Sequence, residues 1–211
     1  MKQKTYYHII LDQSGSMQDC IQPTISGFNE QLQVIKSLQE RFPEQDIRVG
    51  LTRFNHEVMR SYFALPPEQS AELNRNTYHP GGSTALYDAI GMTTGELNKS
   101  IGDELAGGLA TVVVVIITDG YENSSRYFNG VQIKSTIKEL EATGKWTFSY
   151  LGATLDAAQI AASMNIKRQN AMYFEKASMN QTFSKLGKSM GAYLKLKKEG
   201  KNPTQFLNSE D

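Results

Sequence analysis

Residues 111–117 read Thr-Val-Val-Val-Val-Ile-Ile, an unbroken series of β-branched side chains. From Val112 to Ile117 no polar residue alternates with an apolar one. A strand with one wet face alternates with a period of two, so neither face of this strand is meant for water. A strand covered on both sides belongs inside a parallel sheet with helices above and below. The run stops at Thr118-Asp119-Gly120. A carboxylate thus stands at the carboxyl end of an interior strand, which is where open α/β sheets bind ligands.

The rest of the chain alternates strand and helix patterns. Tyr6–Leu11 reads as a first strand, and residues 24–42 place Ile25, Phe28, Leu32, Ile35, Leu38 and Phe42 on one helical face before Pro43. Residues 47–54 and 58–65 read as strands paired through a turn at Asn55-His56-Glu57, the second at the sheet edge. A polar crossing from Pro66 reaches Thr84, and Leu86, Ile90, Leu97 and Ile101 mark the next helix. After the interior strand, Ile133, Ile137 and Leu140 mark a helix stopped by Gly144, and residues 146–151 form a strand. Asp156 with Gln159 resembles a helix start, residues 171–174 make a short last strand, and Ser178 with Gln181 reads as a capping box for a final helix. That helix carries Phe183, Leu186, Met190 and Leu194 on its apolar side. The expected architecture is α/β, a Rossmann-like three-layer α/β/α arrangement with a mostly parallel central sheet of about six strands. One edge strand is antiparallel, and helices lie on both faces.

Two further segments carry oxygen-bearing side chains to loop positions. An apolar strand runs into Asp12-Gln13-Ser14-Gly15-Ser16, one carboxylate and two hydroxyls at every second position. Gly81-Gly82-Ser83-Thr84 delivers a threonine to a helix start. Mg2+ takes oxygen ligands near octahedral corners about 2.0–2.1 Å away, and a turn bent around one point can aim such groups at it. Each residue is also an ordinary turn former, so the first segment alone reads equally as a plain turn.

Taken together, the three segments resemble the von Willebrand factor type A domain. Asp12-Gln13-Ser14-Gly15-Ser16, followed by Met17, matches the family's Asp-x-Ser-x-Ser motif, Thr84 its isolated threonine and Thr118-Asp119-Gly120 its third motif. Element order and spacing match over residues 1–198, leaving 199–211 as a polar, mobile tail. The resemblance implies that Asp12, Ser14, Ser16, Thr84 and Asp119 form a metal-ion-dependent adhesion site. By that analogy the residues matched by Ser14, Ser16 and Thr84 ligate the cation directly, and the aspartates act through water or as nearby charge. The cation expected is Mg2+, with Mn2+ or Ca2+ as alternatives. A protein partner's Asp or Glu completes its coordination. Intracellular bacterial members work with ATPases or multi-protein assemblies, and this chain looks similar to those. The expected function is therefore that of a non-enzymatic adhesion or adaptor module in a bacterial cytoplasm.

Around that site the residues admit two readings. Met17, Tyr121, Glu122, Asn123 and Arg126, with Tyr127, form a partner-binding rim or else a solvated loop. Asp88 braces the site or supplies a helix-start charge. His79 reads as loop decoration, since hard-oxygen sites seldom need imidazole.

Composition narrows the functional classes. The 211 residues carry 22 basic and 22 acidic side chains, a balance that does not point to nucleic acid or an anionic membrane. The apolar runs are too short to span a bilayer, and the N-terminal pattern is not that of a secretory signal. One cysteine, Cys20, allows no internal disulfide and suits a reducing compartment. The alternative function is a metal-dependent phosphohydrolase, because haloacid-dehalogenase-like phosphatases also end two strands in aspartate. Those need a second aspartate two residues after the first as general acid, and Ser14 stands there.

Overall fold

The computed structural model describes residues 2–207. The elements run β1 (Gln3–Asp12), α1 (Ile21–Arg41), β2 (Gln45–Phe54), β3 (Val58–Leu65), α2 (Leu86–Ala106), β4 (Ala110–Thr118), α3 (Gly130–Ala142), β5 (Trp146–Gly152), α4 (Ala157–Ser163), β6 (Ala171–Tyr173) and α5 (Met179–Lys198). Their sheet has the order β3-β2-β1-β4-β5-β6. Only the β2–β3 pair is antiparallel among these neighbours, as expected of an edge hairpin. Strand order reverses between β1 and β4, so the crevice where such sheets bind ligands lies between the ends of those two strands.

The lack of alternation in β4 follows from its position. Val113, Val115 and Ile117 pack on one face, with Phe28 and Leu32 of α1 and Phe183 and Leu186 of α5. Val112, Val114 and Ile116 pack on the other, with Leu86 and Ile90 of α2 and Ile133 and Ile137 of α3. All nine residues of β4 are buried. Each such aliphatic side chain contributes roughly 1.5–3 kcal/mol by leaving water. The sheet ends that hold the carboxylates therefore stand on the most apolar part of the molecule.

Helix starts follow a different rule from the expected one. Ser178 and Asp156 precede α5 and α4, yet neither side chain caps its helix. Their ψ angles of 25° and 16° are already turned toward helix. Side-chain capping needs the extended backbone that directs the oxygen at the first turn. Asn129 has that backbone, with ψ 169°, and forms a reciprocal capping box with Gln132 at the start of α3. The segment from residue 199, expected to be a mobile polar tail, is tied down in part. Phe206 and Leu207 are buried, and the Phe206 ring centroid lies 5.7 Å from that of Tyr7 and 6.0 Å from that of Tyr193. Buried Asn170 accepts the Phe206 N–H at 2.8 Å and donates to the Thr204 carbonyl at 3.0 Å. Two apolar residues in a polar stretch have no periodicity to announce them.

One polar cluster lies inside the sheet. His8 of β1 shares a 2.9 Å hydrogen bond with Thr52, which accepts from Thr93 of α2 at 3.2 Å. Gly50 is the register partner of His8, and a Cβ there would overlap the imidazole ring. Burial pulls the His8 pKa down to about 3, so the ring stays neutral in the folded chain. As pH falls below the ordinary histidine value of about 6.5, the unfolded chain gains a proton that the folded chain refuses. Stability is lost on acidification at about 1.4 kcal/mol per pH unit for this group. Urea denaturation at pH 7 and pH 5 should therefore show the stability advantage of wild type over His8→Asn shrinking by about 2 kcal/mol. A difference independent of pH would show that His8 is not held neutral.

Candidate metal centre

Asp12 is the last residue of β1 and is completely buried. Its Oδ1 accepts the Ser14 backbone N–H at 2.6 Å, a bond that bends the chain back over the carboxylate. Its Oδ2 accepts the Thr118 hydroxyl at 2.6 Å, which links the end of β1 to the end of β4. Burial pushes the Asp12 pKa up to about 6, and the Thr118 and Ser14 hydrogen bonds only partly oppose it. A cation nearby would relieve that cost.

A line of oxygens continues from there. Ser14 Oγ and Ser16 Oγ stand 3.2 Å apart, and the Ser16 hydroxyl donates to Asp119 Oδ1 at 2.6 Å. Thr84 arrives from another part of the chain, positioned by backbone bonds between loops. The Gly15 N–H donates to the Gly82 carbonyl and the Gly81 N–H to the Gln13 carbonyl, both at 2.9 Å. Gly82 has φ +78°, and a Cβ there would also overlap the His56 ring, so this crossing requires glycine. Asn123 then grips Thr84 from the far side: its Oδ1 accepts the Thr84 N–H at 2.8 Å, and its own N–H donates to the Thr84 carbonyl at 3.0 Å. A Cβ on Gly120 would stand 3.6 Å from Thr84 Oγ1 and 3.7 Å from Ser16 Oγ. The two hydroxyls thus face the same small space, left open because residue 120 has no side chain. All five expected metal residues meet at the β1–β4 crevice.

The expected rim divides. Met17 is fully buried and packs on Cys20, with the sulfurs 3.9 Å apart, so it is not a rim residue. A methionine flanked by polar residues looks exposed in sequence, but the turn after Ser14 rolls it inward. Glu122 faces its own loop. Its carboxylate accepts N–H groups of Tyr87 at 2.9 Å, Ser124 at 2.9 Å and Ser125 at 2.7 Å. Asn123 is exposed yet spends its amide on Thr84. Tyr121, Arg126 and Tyr127 are exposed beside the site. Asp88 combines the two readings offered for it: it stands in the first turn of α2 and, buried, accepts the N–H groups of Arg126, Tyr127 and Phe128 at 2.8–2.9 Å, which braces the loop beside the site. His79 bonds to the Asn76 carbonyl at 2.8 Å, in keeping with loop decoration.

Sequence reasoning missed Lys176. Its ammonium stands 2.5 Å from Asp119 Oδ2 and donates to the Ser16 carbonyl at 2.7 Å. Burial pulls the Lys176 pKa down, but the hydrogen bond and charge of Asp119 outweigh it, and the net shift is upward. Asp119 Oδ2 is buried and, apart from this ion contact, has no hydrogen-bond partner. No local pattern around residue 176 announces the contact.

The donors fit a hard divalent cation. No group of three His, Cys, Asp or Glu side chains suited to a metal gathers among the described residues, so hydroxyl oxygens make up most of the set. Oxygen-only donors suit Mg2+, Mn2+ or Ca2+ rather than softer metals. A buried carboxylate oxygen that meets only an ammonium marks where positive charge is wanted.

The family profile of the von Willebrand factor type A domain matches residues 8–188, and the chain belongs to that family. No curated protein matches the sequence. Solved structures share the fold at low identity. The vWF domain of the type V pili tip protein Mfa5 from Porphyromonas gingivalis has a TM-score of 0.57 at 9% identity, over 91% of this chain and 96% of that one. A von Willebrand factor type A structure from Catenulispora acidiphila gives 0.53 at 14%, over 88% of this chain and 42% of that one. Proximal thread matrix protein 1 from the mussel byssus gives 0.55 at 11%, over 90% of this chain and 46% of that one. The chain thus spans less than half the length of the latter two. Among the described residues no helix is long and apolar enough to cross a membrane.

Asp88→Ala should lower unfolding stability by about 1.5–3 kcal/mol, since backbone donors lose a charged acceptor. Hydrogen exchange at residues 126–128 should accelerate more than that of the β4 amides. Unchanged protection at 126–128 would show that the rim loop does not depend on Asp88.

Proposed function

We propose that this protein is a non-enzymatic adhesion or adaptor module that binds a partner's Asp or Glu side chain through a divalent cation, Mg2+ first. The observation that carries the reading is the meeting of Asp12, Ser14, Ser16, Thr84 and Asp119 around one space, with a buried oxygen of Asp119 facing a positive charge. Ser14, Ser16 and Thr84 would hold the cation directly, with Asp12 and Asp119 as its nearby charge. With three neutral hydroxyls as its direct ligands and the two carboxylates held outside its coordination sphere, a bound divalent cation would stay electrophilic. Such a cation favours an incoming carboxylate over water. A calcium sensor loop, by contrast, surrounds its ion with several carboxylates.

Exposed Tyr121, Arg126 and Tyr127 give a partner a surface next to the site, and Arg126 suits a second acidic group. Membership of the family supports protein partners, with an ATPase or multi-protein assembly as the class proposed. Among the fold's structural neighbours is a pilus tip protein's domain. No observation favours the phosphohydrolase alternative. The residue two places after Asp12 is Ser14, whose amide is itself held by Asp12.

Calorimetric titration should show saturable binding of Mg2+ or Mn2+ to wild type and at least tenfold weaker binding to Ser14→Ala. Affinity capture should retain a partner in Mg2+ and release it in EDTA, with Ser14→Ala retaining none. Recovery of the same partners under both conditions and from both proteins would overturn the proposal. Because Asp12 keeps its proton up to about pH 6, cation affinity should also fall below that value. One proton displaced per ion gives about a fivefold loss from pH 6 to pH 5, since about half of the Asp12 groups are already ionised at pH 6. Calorimetry at those two values checks it.

A further inference from the structure

Lys176 lies in the turn Lys176–Ser178 that leads into α5, far in sequence from every other site residue. Its side chain crosses to the β1–β4 crevice and brings one positive charge to two of the oxygens there. Asp119 Oδ2 is 2.5 Å away, and the Ser16 backbone carbonyl 2.7 Å. The Asp119 side chain is wholly buried, so its charge is expensive without a counter-ion. Asp119 is also one of the two carboxylates that make the crevice attractive to a divalent ion. An ammonium and a divalent cation cannot both lie close to that group without strong repulsion.

Resting on the metal-dependent reading above, we infer that Lys176 is a tethered competitor of the divalent cation: its ammonium neutralises Asp119 when no metal is bound, must withdraw when one binds, and so weakens and tunes cation affinity. The withdrawal has a destination. Asp19 Oδ2 stands 3.8 Å from the same ammonium, on a side chain that is 82% exposed. The lysine stem is flexible and keeps its charge throughout. Its movement toward Asp19 exchanges one carboxylate for another and carries the positive charge toward solvent. The competing ion is part of the chain, so its effective concentration is fixed and high, and unlike dissolved salt it cannot be diluted away.

Three readouts test this. Calorimetric titration with Mg2+ and Mn2+ of wild type, Lys176→Met and Lys176→Arg should show at least tenfold tighter binding to Lys176→Met and near wild-type affinity for Lys176→Arg. In EDTA the melting temperature of Lys176→Met should fall, because Asp119 is left buried and unpaired. Lysine-selective acylation followed by mass spectrometry should show Lys176 more reactive with saturating Mg2+ than with EDTA, while Lys4 does not change. Unaltered cation affinity in a folded Lys176→Met, or Lys176 reactivity that ignores Mg2+, overturns the competition and leaves the metal site standing. Failure of wild type and both variants to bind any divalent cation overturns the metal reading itself, and the competition with it.

Discussion

Two carboxylates at the ends of adjacent parallel strands are the constraint around which this molecule is arranged. Asp12 closes β1 and Asp119 follows β4, and the sheet order sets those ends side by side. Both groups are buried over an apolar core, where a charge without partners is costly. Each nearby polar feature reduces that cost. Thr118 and the Ser14 amide serve Asp12, while Ser16 and Lys176 serve Asp119. Each of the four carboxylate oxygens thus meets a partner within the chain.

The loops that carry the hydroxyls are ordered by backbone bonds rather than by bulk. Gly82, with its positive φ and no side chain to meet the His56 ring, lets two loops approach closely enough for the Gly15 and Gly81 N–H groups to reach carbonyls across them. Asn123, Glu122 and Asp88 then fix the loop after Asp119 through accepted N–H groups. These polar side chains look like solvent-facing decoration in a linear string. In the folded chain they are scaffolding, and the side chains left exposed beside the site include Tyr121, Arg126 and Tyr127. Beneath these loops lies the wholly buried, β-branched strand β4.

How much was legible in the sequence depended on the range of the interaction. The strand-end positions of Asp12 and Asp119 were readable because an apolar run that halts at an acidic residue is a local signal. The antiparallel edge hairpin was readable for the same reason, from two strands and a short turn. Met17 misled because a single turn reversed its direction, and the caps expected at Ser178 and Asp156 failed because ψ, not residue type, decides capping. The anchoring of Phe206 by Asn170 and Tyr7 left no trace in the order of residues.

The sequence by itself determined the layered α/β class, the buried centre of the sheet and the identity of the oxygen-bearing groups. Hydrophobic period and strand-terminal residues are properties of neighbours along the chain, so they survive in the string. Only the tertiary structure decided that Asp88, Glu122 and Asn123 brace loops, that Met17 is core, and that Lys176 reaches Asp119. Those outcomes depend on where distant segments arrive, which is set by the packing of two cores against one sheet and not by any local pattern.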